Sequence, residues 1–240
     1  MGNWRANIRK VVPYTPGEQP KRTNLIKLNT NENPYPPSEK VQEMMGKVIG
    51  WRLYPDPAAT KLVHALASYH GLKDEQVFVG VGSDDVLAMA FMTFFNSQKP
   101  IFFPDITYSF YDVWADLFKI PYEVKPLDEN FQIVKEDYME ANGGIIFPNP
   151  NAPTGVCVDL AFIEEIIKAN QDVIVIIDEA YIDFGGVSAK ALLDKYENLL
   201  VVQTYSKSRS LAGLRIGYAM GNEELIKAIN DVKYSFNSYT

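Results

Sequence analysis

The stretch TYSKSRSLAGLRIGY (204–218) places Lys207 eight residues before Arg215, across a turn of small residues. It follows the apolar run LLVV (199–202), which predicts a buried strand, and it leads into LRIGYAM, which alternates like a second strand. Most lysines do no more than keep a surface hydrated. A lysine at the end of a buried strand lies where α/β folds keep their chemistry, so Lys207 is the first candidate for a functional residue.

A regular alternation of strands and helices is predicted to position this lysine. Before it, EKVQEMMGKVIGW and AATKLVHALASYHG are amphipathic helices, the second ended by Gly71. Seven apolar strands follow, namely QVFVGVG, PIFFP, PYEVKPL, GGIIFPNP, DVIVIIDEAY, LLVVQTY and LRIGYAMG. The helices between and after them are SDDVLAMAFMTFF (capped by Ser83 or Asp84), SFYDVWADLF, DLAFIEEIIKAN and NEELIKAINDVKYSF. This pattern predicts a three-layer α-β-α domain with a mostly parallel sheet covered on both faces.

Polar residues follow several of these strands, at the edge where such sheets bind ligands. Gly82-Ser83-Asp84-Asp85 opens a helix, where free N–H groups and the helix dipole attract phosphate, although an ordinary capped turn has the same sequence. Tyr108 follows PIFFP and either stacks on a flat ligand or packs as a core or rim aromatic. The rigid turn NPNAPTG (149–155) either holds an amide over a ligand or only connects two elements.

Asp178 ends the apolar strand DVIVII, three residues before Tyr181. An ionised carboxylate there is costly unless a cation faces it, so Asp178 either faces a ligand cation or belongs to a structural ion pair. Tyr181 is either a second site residue or a satisfied core tyrosine. A strand-end lysine, a buried acid, an aromatic ring and a phosphate seat are together what a pyridoxal phosphate site needs.

This interpretation gives each polar residue a chemical role. Lys207 would form the Schiff base with the cofactor. Asp178 would keep the pyridine nitrogen protonated, so that the ring accepts electrons. Arg215 and the backbone amides of Ser83 and Asp84 would bind the phosphate.

Composition narrows the class of protein. The chain has 240 residues, 47% of them hydrophobic, which suffices for a sizeable core, and its net charge of −7 disfavours nucleic acid or an anionic membrane as a partner. Cys157 is its one cysteine, which excludes an intramolecular disulfide and favours a reducing compartment. No apolar run approaches a membrane span, and the N-terminus lacks the apolar core of a secretory signal. We expect a cytoplasmic globular protein without a metal site.

Five motifs resemble the histidinol-phosphate aminotransferase branch of the fold type I pyridoxal-phosphate aminotransferases. They are TYSKSRSLAGLR, DEAYIDF, NPNAPTG, LNTNENPYPPS and RLYPDP, and they run the length of the chain. The resemblance implies a transaminase of histidine biosynthesis that exchanges an amino group between glutamate and imidazole-acetol phosphate by a ping-pong mechanism. It also implies pyridoxal 5'-phosphate as cofactor, a small-molecule amino donor and keto acid as substrates, and a homodimer with shared active sites.

The resemblance also implies a role for individual residues. Lys207 carries the cofactor and moves a proton at the substrate, Asp178 pairs with the pyridine nitrogen, and Tyr181 hydrogen-bonds the ring oxygen. Tyr108 stacks on the ring. The residues around the phosphate are Ser83, Asp84, Thr204, Ser206 and Arg215.

Three more residues carry roles that extend beyond this pocket. Tyr54, in RLYPDP, reaches the phosphate of the neighbouring subunit in relatives. Tyr14 and Asn33, the latter in NTNEN, belong to an N-terminal arm that closes over the substrate.

Two features depart from the family pattern. The family usually has a second asparagine before Pro-Thr-Gly that donates to the ring oxygen, and Ala152 stands there in this chain. Either Asn151 shifts in to replace it, which we favour, or Tyr181 holds that oxygen alone. The second departure is length, because the family continues into a small C-terminal domain that carries the arginine for the substrate carboxylate.

The predicted organisation is an arm belonging to the small domain (1–40), a large cofactor-binding domain (41–235) and the start of an inter-domain helix (236–240). Without the small domain, we expect the chain as written to associate through exposed apolar surface and to be nearly inactive, and the native protein to be longer.

Alternatives within the branch are an aromatic amino-acid transaminase and a phosphothreonine decarboxylase, which keep the same cofactor residues. An alternative of another class is a regulator that binds the cofactor without turnover. Such regulators normally carry a fused winged-helix module, and the sequence shows none.

Overall fold

The computed structural model describes residues 8–18, 24, 26–47 and 52–236. Its helices are α1 (Glu39–Met45), α2 (Thr60–His70), α3 (Ser83–Phe94), α4 (Tyr111–Phe118), α5 (Leu160–Ala169) and α6 (Glu223–Phe236). Its strands are β1 (Val77–Gly80), β2 (Ile101–Pro104), β3 (Tyr122–Lys125), β4 (Ile145–Pro148), β5 (Val175–Asp178), β6 (Leu199–Thr204) and β7 (Gly217–Gly221). Each apolar run that predicts a strand or helix contains one of these elements. Among the described residues, no helix has the length and apolar character needed to cross a membrane.

Within the described ranges, seven strands form one sheet in the order β1-β7-β6-β5-β4-β2-β3. Strand β7 runs antiparallel to β1 and to β6, and the remaining neighbours are parallel. The predicted mostly parallel sheet is confirmed. Pro148 pairs in register with Asp178, and Asp178 with Val202, so the carboxyl ends of β4, β5 and β6 lie side by side.

The central strands are buried on both faces, which explains their continuous apolar sequence. Along β5, Ile176 packs with the helices on one face, among them Phe91 of α3. Its neighbour Ile177 packs on the other face, against Ile163 and Ile166 of α5. The alternation along the strand divides the core into two layers and confirms the three-layer α-β-α architecture.

The predicted boundaries of two helices have different outcomes, at the end of α2 and at the start of α3. Gly71 ends α2 with φ of 70°, a left-handed conformation that glycine adopts without strain, as predicted. The predicted side-chain cap of α3 by Ser83 or Asp84 is wrong. The helix begins after Gly82, which occupies the cap position with φ of 87° and has no side chain to donate or accept there. Ser83 and Asp84 already lie in the first turn, and the Asp84 carboxylate binds Tyr108 and Arg215.

The described part of the arm, residues 8–18, 24 and 26–38, contains no helix or strand. It leads into α1, which ends at Met45, and the rest of the helix predicted there falls partly outside the described residues. The predicted start of an inter-domain helix (236–240) also lies outside them, except for Phe236 at the end of α6. The division into domains therefore stays a prediction.

Candidate active site

Asp178 lies at the end of β5 and is 4% exposed. Tyr111 Oη donates to its Oδ2 at 2.8 Å, and the Ala180 N–H donates to its Oδ1 at 3.1 Å. Burial raises the pKa of this carboxyl to about 6, against the opposing effects of these two hydrogen bonds and of the Lys207 charge. Among the described side chains, no cation lies within ion-pair distance of Asp178. The described residues therefore provide no structural ion pair for this carboxylate.

Lys207 lies directly after β6, in the loop that leads to β7. Its Nζ donates to the backbone carbonyl of Thr30 at 3.1 Å and lies 5.5 Å from the ring centroid of Tyr181. The turn that precedes it is closed by Thr204 and Ser206, since Thr204 Oγ1 donates to Ser206 Oγ at 3.0 Å and accepts from the Ser206 N–H at 3.2 Å. The structure therefore brings Lys207 between the sheet end and the arm, close to Tyr181.

The N-terminus of α3 forms a narrow seat beside Arg215. One Nη of Arg215 lies 3.4 Å from Asp84 Oδ2, and a Cβ at Gly82 would lie 2.4 Å from the same guanidinium nitrogen. A Cβ at Gly217 would lie 2.2 Å from the Ser83 amide nitrogen. Because the cap has no side-chain hydrogen bond, the first N–H groups of α3 stay open to an anion, and the guanidinium adds positive charge. The glycines keep this cradle free of side chains.

Tyr108 lies beside this seat, and its hydroxyl donates to Asp84 Oδ1 at 2.7 Å. Burial raises the pKa of Tyr108, which keeps this donor protonated. The same aromatic group includes Phe110, whose ring centroid lies 5.5 Å from that of Tyr108. Tyr14 of the arm stacks on Phe110 with centroids 4.1 Å apart. Tyr14 thus reaches the site through this ring.

Two asparagines of the arm contact the site directly. Asn31 Nδ2 donates to Tyr181 Oη at 2.9 Å. Asn33 Nδ2 donates to the backbone carbonyls of Ser208 at 3.1 Å and Lys207 at 3.3 Å. The sequence prediction named Asn33 but not Asn31 individually. Asn31 adopts a φ of 51°, a conformation in which asparagine is enriched, and its place in an asparagine-rich segment was the available signal.

Asn151 holds its turn against the loop after β2. Its Nδ2 donates to the Ile106 carbonyl at 2.9 Å and to Thr154 Oγ1 at 3.2 Å, and its Oδ1 accepts from Thr107 Oγ1 at 3.0 Å. Both amide hydrogens bind protein acceptors, and the replacement of the asparagine at Ala152 by Asn151, toward the ring oxygen, stays a prediction. The Tyr181 hydroxyl accepts a hydrogen bond from Asn31.

A cavity of about 410 Å³ lies between this turn, the arm and Tyr181. Its lining includes residues 150–153, Asn31, Cys157, Tyr181 and Phe184. A cleft of this size with a few convergent polar groups fits a small molecule.

The predicted set of site residues differs from the observed one at two tyrosines. Tyr54 is 91% exposed, so the structure does not pack it against the other site residues of this chain. Tyr111 was missed by sequence reasoning, although its hydroxyl binds Asp178. The sequence offered one signal for Tyr111: a tyrosine on the apolar face of a predicted helix has a buried hydroxyl, which needs a hydrogen-bond partner.

Comparisons with known proteins show the family of this chain. Residues 23–240 match the family described as aminotransferase class I and II. Histidinol-phosphate aminotransferase 1 of Methylococcus capsulatus is 58% identical over 98% of this chain and 67% of that relative. Histidinol-phosphate aminotransferase of Clostridium beijerinckii is 53% identical over 99% of this chain and 67% of that relative.

The chain also resembles solved structures. Histidinol-phosphate aminotransferase from Sinorhizobium meliloti in complex with pyridoxal-5'-phosphate has a TM-score of 0.79 at 21% identity, covering 88% of this chain and 60% of that one. L-threonine-O-3-phosphate decarboxylase from Porphyromonas gingivalis has a TM-score of 0.64 at 23% identity, covering 78% and 58%. At these identities the likeness shows the fold. The chain spans 67% of its curated relatives and about three fifths of these solved chains.

Proposed function

Because the chain belongs to the class I and II aminotransferases, and within them to the histidinol-phosphate aminotransferases, we propose that its protein exchanges an amino group between glutamate and imidazole-acetol phosphate. The reverse direction starts from L-histidinol phosphate and 2-oxoglutarate. The observation that carries this proposal is Asp178, buried at the end of β5, where burial raises the pKa of its carboxyl to about 6.

The site fits the family's cofactor, pyridoxal phosphate. A protonated pyridine nitrogen is the cation that Asp178 lacks, and the N-terminus of α3 with Arg215 suits a phosphate. Tyr108 offers an aromatic face, and Tyr181 offers a hydroxyl to the ring oxygen. When bound, the cofactor supplies an electron sink for the negative charge that develops at the substrate Cα.

The residues of this chain contribute binding and proton transfer around that group. Lys207 binds the cofactor covalently and, when its amine is free, takes a proton from the substrate Cα. Asp178 keeps a proton on the nitrogen that it faces, because the hydrogen bonds from Tyr111 and the Ala180 N–H stabilise the ionised carboxylate and so oppose transfer of that proton to it. Asn31 and Asn33 hold the arm over Tyr181 and Lys207, which limits access of water.

We also propose a homodimer in the cytoplasm with shared active sites, in which Tyr54 reaches the partner. The 91% exposure of Tyr54 and the 61% exposure of its neighbour Leu53 support a role outside this chain's own site. Size-exclusion chromatography with light scattering tests the dimer by its molar mass. Activity after mixing Lys207→Ala and Tyr54→Phe subunits tests the shared sites. Recovery of activity in the mixture supports shared sites, and recovery no greater than the sum of the two variants contradicts them.

Reduction with borohydride followed by peptide mapping tests the central proposal in the full-length protein. Cofactor is expected on Lys207, and Lys207→Ala should abolish transamination, since no other described residue supplies both the covalent link and the base. Lys190→Ala is the matched control, because the Lys190 amine is engaged by the His70 carbonyl at the end of α2. Label on another lysine would contradict the proposal.

Activity on a panel of amines tests the substrate. Histidinol phosphate is expected to react fastest, with phenylalanine and phosphothreonine as competitors from the two alternative activities. Release of carbon dioxide from phosphothreonine, or a preference for phenylalanine, would replace the proposed substrate while leaving the cofactor residues unchanged.

A further inference from the structure

We infer that Arg209 is a positioning residue for Lys207, because its guanidinium ties the loop that carries the lysine to the segments that carry Asp178 and Tyr181. This inference rests on the proposal that Lys207 carries the cofactor. The family resemblance assigns no role to Arg209, which lies two residues after Lys207 in SKSRS.

The Arg209 guanidinium binds three separate acceptors. Nη1 donates to Tyr218 Oη at 2.8 Å, Nη2 donates to Gln203 Oε1 at 3.3 Å, and Nε lies 3.4 Å from Asp183 Oδ2. The side chain is only 21% exposed and lies over the Tyr205 ring, 4.8 Å from its centroid. A planar guanidinium serves several acceptors at once with fixed geometry, which a lysine ammonium cannot reproduce.

One branch of these contacts leads to the Asp178 segment. Gln203 Nε2 donates to Glu179 Oε2 at 2.8 Å, and Glu179 directly follows Asp178. Glu179 is 1% exposed and is itself held by Ser188 Oγ and the Ala189 N–H, both at 2.6 Å. Each member of this buried branch has a partner, so its geometry is fixed rather than adaptable.

The other branch leads to the Tyr181 segment. Asp183 lies two residues after Tyr181 and accepts hydrogen bonds from Ser208 Oγ through the same oxygen that faces Arg209. Ser208 and Arg209 are the two residues that follow Lys207. Asp183 therefore holds the lysine loop from one side while Gln203 and Tyr218 hold it from the other.

The lysine itself is weakly tethered by comparison. Among the described residues, the one hydrogen bond of Lys207 Nζ goes to the Thr30 carbonyl in the exposed arm. Its position relative to Asp178 and Tyr181 must then come from the backbone. The Thr204–Ser206 turn holds this backbone before the lysine, and the side chains of Ser208 and Arg209 hold it after the lysine. Loss of Arg209 would remove one donor from each of three acceptors, which Ser208, Tyr218 and His70 would then hold alone, and let the loop shift.

Arg209→Met in the full-length holoenzyme tests the inference, since methionine fills space without donating. A shift of about 1 Å in a reacting group costs roughly 100-fold in rate, so we expect kcat to fall by that order. KM should change by less than about 3-fold, because the substrate contacts are elsewhere. The visible circular dichroism per mole of bound cofactor should also fall, because it reports the orientation of the lysine-bound ring.

Two further variants separate positioning from stability. Arg209→Lys keeps the charge but cannot reach all three acceptors, so it should remain impaired by about tenfold or more. It carries the test if Arg209→Met does not fold. Ile166→Val shortens a fully buried side chain of α5 and leaves the Arg209 hydrogen bonds in place, so it should lower Tm while kcat and the dichroism stay at wild-type values.

A kcat loss for the Arg209 variants no larger than that of Ile166→Val, with unchanged dichroism, would overturn the inference. Failure of the underlying proposal is seen separately, as borohydride label on a lysine other than Lys207 in the wild-type enzyme.

Discussion

Around Asp178 the site is buried and held by its own side chains, whereas the arm that reaches it is exposed. Asp178 and Glu179 are 4% and 1% exposed, and both carboxylates accept hydrogen bonds from several groups. In the arm, Ile26, Leu28 and Tyr35 are 88%, 79% and 76% exposed. The arm touches the site mainly through side-chain hydrogen bonds of Asn31 and Asn33 and through the Thr30 carbonyl.

This difference predicts different consequences for substitutions. A buried acceptor that loses its donor incurs the full cost of desolvation, so changes around Asp178 affect folding as well as chemistry. A solvent-exposed hydrogen bond can be replaced by water, so changes in the arm should mostly affect how firmly the arm closes. Four predictions test this comparison, from the largest expected effect to the smallest.

Asp178→Asn should lower kcat by about 10²–10³-fold in the full-length holoenzyme, the usual cost of removing one preorganised electrostatic partner. The neutral amide keeps the shape of the carboxylate but cannot hold a proton on the cofactor nitrogen. Steady-state kinetics measure the loss, and circular dichroism in the far ultraviolet checks the fold. Activity within a few-fold of wild type would show that the burial of Asp178 serves packing alone.

The stability of the cofactor-free protein should fall as pH rises from about 4 to 7. Burial raises the pKa of Asp178 to about 6 and that of Glu179 to about 7, so the native state binds more protons than the unfolded state in this range. The pKa of Asp178 rises from 3.8 in the unfolded state to about 6 in the native state. This shift corresponds to a loss of about 3 kcal/mol of unfolding free energy between pH values below the first pKa and above the second. Urea unfolding at several pH values measures the slope. In Asp178→Asn, the contribution of Asp178 to the slope of unfolding free energy against pH should disappear. An unchanged slope would show that burial adds no cost to the ionisation of Asp178.

Tyr111→Phe should weaken cofactor binding and lower kcat by about tenfold, within the 1–3 kcal/mol that an unsatisfied buried acceptor costs. The ring remains, so packing against its aromatic neighbours is kept, and only the hydroxyl that donates to Asp178 is lost. Equilibrium dialysis against the cofactor measures the affinity. Tyr138→Phe is the matched control, because the buried Tyr138 hydroxyl has no hydrogen-bond partner among the residues that the structure describes. Equal effects of the two substitutions would remove Tyr111 from the site.

Asn31→Ala should raise KM a few-fold and leave the unfolding free energy within about 1 kcal/mol of wild type, the usual net value of one hydrogen bond. The change removes the donor to the Tyr181 hydroxyl on the exposed side of the site. Asn130→Ala, in an exposed turn far from the arm, controls for the loss of an asparagine. A loss of stability as large as that of Tyr111→Phe would show that the arm is as firmly integrated as the sheet end, and the comparison would fail.

The sequence by itself determined the sheet, its helices and the strand-end positions of Asp178 and Lys207. Apolar runs and helical periodicity are local patterns, and a parallel sheet brings its carboxyl strand ends to one edge without further information. The cap of α3 was the local exception. Asp84 has the right type for a capping residue, but tertiary partners, Tyr108 and Arg215, bind its carboxylate instead.

Only the tertiary structure decided which polar groups meet inside that edge. Tyr111 meets Asp178 across 67 residues and Asn31 meets Tyr181 across 150, separations over which periodicity carries no signal. Asn151 shows the same limit, because residue type alone could not tell that its amide hydrogens bind the Ile106 carbonyl and Thr154 Oγ1. The physical reason is that buried donors and acceptors must all be satisfied together, and that condition is met by the folded arrangement as a whole.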